Sequence, residues 1–275
     1  MIAIGQRAHA LLAAGCAGRV MAVVSGAVYL QTDEGEIFWL MRPHTAMHAR
    51  GIACDWRADD LAAGMAFRAR ALVLEIGARV QIDARGAALW QPRTVGPAAL
   101  APRGTIAARL AALGGDPDRC AMPGQDVAGA FLHPPFADRF AQTDSGNMAA
   151  FVERCKLLIG LGPGLTPAGD DFVGGFLFAW RHLGDAGAIA WDQQPVDDLI
   201  AWARDRTNAI SHVFLRDLAD GQGPEPLHDL LCALLERDAR ESPATCADRL
   251  RRVGSSTGAQ LLGGALTALR LFIAA

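Results

Sequence analysis

The stretch GLGPGLTPAGDD, residues 160–171, holds four glycines, two prolines and two adjacent acids in twelve positions. Glycine tolerates φ > 0 and lets a ligand reach the main chain, so Gly162 and Gly164 could open backbone donors to a small anion. Thr166 is a favoured N-cap type and Pro167 suits a first helical position. That pair predicts a helix whose free first-turn amides face the loop, and Leu165, Thr166 and Gly169 then complete an anion cradle. Asp170 and Asp171 are the candidate catalytic acids. One could orient a substrate amide or take a proton, and either could hold Mg²⁺ together with substrate oxygens.

The string fits neither of the common phosphate loops. G-x-G-x-x-G fails, because Leu165 or Pro167 falls in the last glycine position. Gly164 and Gly169 have Walker spacing, but Asp170 and Asp171 follow where Lys and Ser/Thr belong. The acids also oppose an anion. A like charge about 4 Å away costs about 4 kcal/mol at an effective dielectric of 20, against ~0.3–2 kcal/mol returned by a helix N-terminus. Successive helical residues point about 100° apart, so the two acids should serve different partners. The plain alternative is a tight helix–helix corner, with Gly174 and Gly175 permitting close packing one turn later.

Two further segments carry the same logic. GSSTGAQLLGG, residues 254–264, sets Ser255, Ser256 and Thr257 between glycines at a predicted helix start. TNAISH, residues 207–212, reads as the middle of a helix that pairs Thr207 with Ser211 and Asn208 with His212 at i, i+4. Asn208 and Ser211 join the candidate substrate-binding residues. Lys156, the only lysine, precedes the loop and could reach an anion or simply answer a helix dipole. His44 and His48 have metal-like spacing in HTAMH without the glutamate of H-E-x-x-H, and no G-x-S-x-G elbow is present.

A frame must bring these segments together. At 275 residues the chain exceeds the ~100–200 typical of one domain. It is 51% hydrophobic and 20% charged, enough for a core, and its net charge of −3 excludes a basic nucleic-acid footprint. Strand-like runs span residues 19–42, broken at Ser25-Gly26 and Asp33–Gly35, and residues 67–90, broken at Gly77 and at Asp83–Gly86. From about Pro97 the pattern turns helical, with helices predicted at 148–159, 167–182, 196–218, 226–237, 243–252 and 256–272. The expectation is an α+β fold: an antiparallel β-barrel- or sandwich-like part over 1–120, then an α-helical domain over 121–275.

Six scattered cysteines without C-x-x-C spacing suggest a reduced, cytoplasmic protein. LLAAGC, residues 11–16, has the look of a lipoprotein cleavage site. Gln6, Arg7 and His9 interrupt the run before it, so a short helix closed by Gly15 is expected. The apolar stretch 259–275 falls short of the ~20 residues of a membrane span and reads as a buried terminal helix.

LLIGLGPGLTPAGDDFVGGFLFA, TNAISHVFLRDLADG and GSSTGAQLLGGALTAL, in that order, resemble the AllH-type bacterial family, whose named member is associated with oxamate carbamoyltransferase in anaerobic allantoin breakdown. A looser likeness begins at Gly18. The resemblance implies a cytosolic subunit working beside an FdrA-like, acyl-CoA-synthetase-like subunit and a further large subunit. It implies exchange of a carbamoyl group between carbamoyl phosphate and an oxamate/oxalurate pair. Beside this enzyme reading stand a non-catalytic, metabolite-binding assembly or regulatory subunit and an Mg²⁺-dependent hydrolase. No cofactor is expected with certainty; Mg²⁺ is the one the acids could hold.

Overall fold

The computed structural model describes residues 2–114 and 148–275, which form two compact units dividing between Pro92 and Arg93. The boundary expected near residue 120 lies outside the described residues.

The first unit is a curled sheet of nine strands with one helix. In chain order these are β1 (Ala3–Gly5), helix α1 (Gln6–Ala14), β2 (Cys16–Val23), β3 (Ala27–Thr32), β4 (Ile37–Met41), β5 (Gly51–Ala53), β6 (Ala66–Arg70), β7 (Val73–Ile76), β8 (Val80–Asp83) and β9 (Ala88–Trp90). The spatial order is β8-β7-β6-β2-β3-β4-β5-β1-β9. Pairing is antiparallel except for β4 with β5 and β1 with β9, which run parallel. Strands β3 and β6 alternate between buried and less buried residues, as one-sided strands do. Strand β4, IFWLM, is buried on both faces. Gly35 closes the β3–β4 turn at φ +89°, as its position in the sequence suggests. Gly15 closes α1 at φ +84°, its amide donating to the Leu11 carbonyl at 3.1 Å. Buried Arg50 is held by Glu36 at 2.7 Å and by the Ile37 carbonyl at 2.9 Å, so its charge is not left unpaired.

The second unit is helical: α2 (Arg103–Gly114), α3 (Met148–Cys155), α4 (Ala168–Asp185), α5 (Gln193–Ala203), α6 (Ala209–Ala219), α7 (Glu225–Leu235), α8 (Pro243–Arg251) and α9 (Thr257–Ala274). Helix α4 is buried almost all round, from Ala168 to Trp180 without a break, which marks it as the central helix. It crosses α9 at glycines. A Cβ on Gly175 would lie 2.2 Å from the Leu261 carbonyl oxygen, and one on Gly264 would lie 1.9 Å from that of Phe172. The two backbones therefore touch, as the Gly174-Gly175 pair suggested. Phe151 stacks on Phe176 at 3.6 Å between ring centroids, and Phe176 on Trp180 at 5.4 Å.

One predicted helix is divided. The run 196–218 breaks between α5 and α6, because Asn208 folds its side chain back onto the next turn. Its Oδ1 accepts from the Ile210 and Ser211 amides, both at 3.1 Å. An asparagine that bonds the local backbone favours a helix start over a helix interior.

Helix α9 is long and apolar enough by composition to cross a membrane, yet 67% of it is buried within the protein. Cys16, Cys54, Cys155, Cys232 and Cys246 are free thiols; Cys120 lies outside the described residues.

Candidate functional site

Residues 160–167 form the loop entering α4, and Gly160, Gly162 and Gly164 adopt φ of +81°, +115° and +100°. The reasons differ along the loop. At Gly160 a Cβ would strike the Arg206 carbonyl oxygen at 2.3 Å, so close approach excludes a side chain. At Gly164 nothing lies within 4 Å, so only the left-handed backbone calls for glycine.

The helix start differs from the sequence expectation. Pro167, not Thr166, is the N-cap, Ala168 opens the helix, and no side chain caps it. One first-turn amide turns inward, that of Gly169 donating to the Leu161 carbonyl at 2.9 Å, while that of Asp171 makes the first regular helical bond, to the Pro167 carbonyl at 3.1 Å. A Cβ on Gly169 would sit 1.9 Å from the Leu158 carbonyl oxygen. Gly169 is thus a packing glycine whose amide is already engaged.

Thr166 does not cap because its hydroxyl is taken elsewhere. It lies 2.8 Å from the Thr257 hydroxyl at the head of α9. Asn208 donates from Nδ2 to the Leu165 carbonyl at 2.9 Å, so one residue caps α6 and ties down the loop. Asp170, 2% exposed, accepts from the Gly160 amide and the Ser211 hydroxyl, both at 2.6 Å, and from the Thr207 hydroxyl. The three segments singled out in sequence therefore meet at one corner. Thr207 enters from the turn before α6 rather than from a helix, and its reach to Asp170 was signalled only by its spacing from Ser211. His212 turns away, its Nε2 at 2.9 Å from the Ile200 carbonyl. Lys156 pairs with Glu153.

Asp171 stands apart. It is 1% exposed, and neither carboxyl oxygen has a hydrogen-bond partner among the described residues. Burial pushes its pKa well above the usual carboxylate value. The neighbouring Thr257 and Thr166 hydroxyls offset part of that shift, and Asp170 adds to it. For Asp171 this lessens the electrostatic objection to an anion. Asp170 spends its oxygens on three donors, and burial favours the uncharged form of Asp171. Among the described residues no group of three His, Cys, Asp or Glu could hold a metal ion.

Above this corner the main chain is open. The amides of Gly162, Gly164, Leu165 and Thr166 have no hydrogen-bond partner among the described residues, and the loop is partly to fully exposed. A Cβ on Gly162 would stand 2.8 Å from the Ala168 nitrogen, so the loop packs closely on the first residue of α4 there and excludes a side chain. At the head of α9, Ser256 is the N-cap without a side-chain capping bond, and Ser255 is exposed. Both hydroxyls are free among the described residues. The site is a set of donors around a glycine-lined surface, suited to a small oxyanion.

Neither a curated protein nor a solved structure matches the chain. Residues 158–269 match the family model described as oxamate carbamoyltransferase subunit AllH. That stretch runs from the turn before the loop through the Asn208 cap to the last turns of α9, and over it the chain is similar to the AllH family.

Proposed function

We propose that this chain is the small-anion-binding subunit of a carbamoyltransferase, acting on metabolites of the oxamate, oxalurate and carbamoyl phosphate kind. One observation carries the reading: a loop pinned from three sides leaves four consecutive-region amides, from Gly162 to Thr166, without partners. Backbone donors at a helix start favour carboxylate and phosphoryl oxygens, and Ser255, Ser256 and Thr257 supply hydroxyls from the facing helix start. The family description points to an oxamate carbamoyltransferase and to partner subunits. In this proposal those partners are an FdrA-like subunit and a further large subunit, and the assembly works in the cytoplasm.

A second reading has its own support. Asp170 is fully engaged and Asp171 is shut from solvent, so the corner exposes no carboxylate base. That favours a chain that binds the metabolite and completes a partner's catalytic site.

Thermal-shift measurements with oxamate, oxalurate, carbamoyl phosphate and phosphate, each with and without Mg²⁺, test the shared claim. A ligand at a hundred times its dissociation constant adds about 2.7 kcal/mol; no shift with any of the four sinks it. Turnover by the lone chain, compared with turnover after partner subunits are added, separates the two readings.

A further inference from the structure

The middle of the Gly-rich loop has a single main-chain anchor. From Gly162 to Thr166, the Leu165 carbonyl is the one main-chain group with a hydrogen bond among the described residues, and its donor is Asn208 Nδ2 at 2.9 Å. Packing does little to hold Leu165, which is 36% exposed. Before it stands Gly164 at φ +100°, with nothing within 4 Å of where a Cβ would be. The Thr166 hydroxyl, bonded to that of Thr257, holds a side chain and leaves the preceding peptide free to turn. A segment this loose takes its orientation from its anchor.

We propose that Asn208 is a positioning residue that aims the Thr166 amide at a bound anion, through the peptide plane that this amide shares with the Leu165 carbonyl. This rests on the anion-binding reading above and names the side chain that sets its geometry.

A trans peptide is a rigid plane in which C=O and N–H point opposite ways, and no described peptide bond is cis. With the Leu165 carbonyl drawn to Asn208, the Thr166 N–H points away from it, and it has no partner among the described residues. The bond to the carbonyl also polarises the peptide, which makes its N–H a stronger donor. Without that bond the plane is free to swing, and a lone pair then meets the anion in place of a hydrogen.

The head of α6 fixes the anchor itself. Asn208 Oδ1 accepts from the Ile210 and Ser211 amides, both at 3.1 Å. Both of those groups are donors, so the oxygen must face them and the NH₂ must face the loop. Capping alone does not call for asparagine. Aspartate caps a helix equally well but has no hydrogen to give the carbonyl. Serine caps too, and its side chain ends one atom short of the Nδ2 position.

Asn208→Asp and Asn208→Ser therefore keep the cap and drop the loop bond, whereas Asn208→Ala drops both. Calorimetric titration of the full-length chain with oxamate, beside urea unfolding, reads the two roles apart. The Asp and Ser variants should keep the parent's urea midpoint and bind oxamate roughly ten- to a hundredfold more weakly. Asn208→Ala should lose midpoint as well as affinity. A ligand-free crystal structure of Asn208→Ser should show the 165–166 peptide turned from its parental plane. Parental affinity in both capped variants overturns the positioning role and leaves the anion site standing. Weakening in Asn208→Asp alone is charge repulsion and overturns it too, as does weakening in Asn208→Ser that comes with a lost midpoint. An unturned peptide with weakened binding makes Asn208 a direct contact, which also overturns it. No oxamate binding by the parent overturns the anion site and the anchor with it.

Discussion

Asp171 makes the folded chain hold a proton that the unfolded chain releases more readily, because burial raises its pKa well above the usual value. Stability from this group is therefore present at low pH and declines as pH rises from about 3.8 through the folded value. Asp171→Asn should raise the melting temperature at neutral pH and change it little near pH 4; an equal shift at both would contradict this. His182 acts in the opposite sense. It is 2% exposed, and burial, with Arg181 adding, lowers its pKa from 6.5 to about 4. The unfolded state then binds more protons, so its contribution is full above 6.5 and is lost as pH falls toward 4. His182→Gln should flatten the melting-temperature profile in that window. Asp170 is a bracing residue: Asp170→Ala strips three donors of their acceptor and should cost roughly 2–4 kcal/mol in urea unfolding, with hydrogen bonds to a charged group worth ~1.5–3 kcal/mol. The sequence implied only that the two acids would point in different directions, since adjacent helical residues diverge. It could not show that one would be satisfied and the other orphaned, because that depends on Thr207, Ser211, Thr166 and Thr257 arriving from distant segments.

Among the elements, glycine governs two kinds of contact. Gly264→Ala places a methyl 1.9 Å from a helix carbonyl oxygen. Overpacking typically costs ~1–3 kcal/mol, and contact this close to main chain should reach the upper end, visible as a drop in the denaturant midpoint. Gly164→Ala meets no neighbour and should cost only about 1–2 kcal/mol of left-handed strain, while weakening oxamate binding if the loop amides are the donors. A fold that withstands the substitution with unaltered oxamate affinity would count against the loop. Strand and helix classes were legible from periodicity, and the turns at Gly35 and Gly77 from their residue types. The β6–β7 turn was not. Ala71 and Leu72 sit there at φ +48° and +64°, a left-handed turn built from residues that do not advertise one. The division between α5 and α6 was hidden similarly, since the 3.6-residue apolar pattern runs on through the Asn208 cap.

At the scale of the whole chain, the helical unit carries the matched family stretch and all the candidate site residues, while the sheet unit lies outside that match. If the chain works as a subunit, adding its partners should raise carbamoyl transfer from background to a measurable rate. The separation of a strand-rich from a helix-rich half was readable from composition alone; the convergence of three polar segments was not, since it is fixed by where α4, α6 and α9 meet. The sheet unit also has an order in time. Strand β1 lies between β5 and β9, pairing Ala3 with Ala53 on one side and with Ala88 on the other. During synthesis the first strand to emerge must wait for nearly the last residues of its unit before both its edges are filled. A bulky fusion placed ahead of Ala3 would burden the slowest-closing seam of the sheet, so a carboxy-terminal tag is the gentler choice for producing this protein.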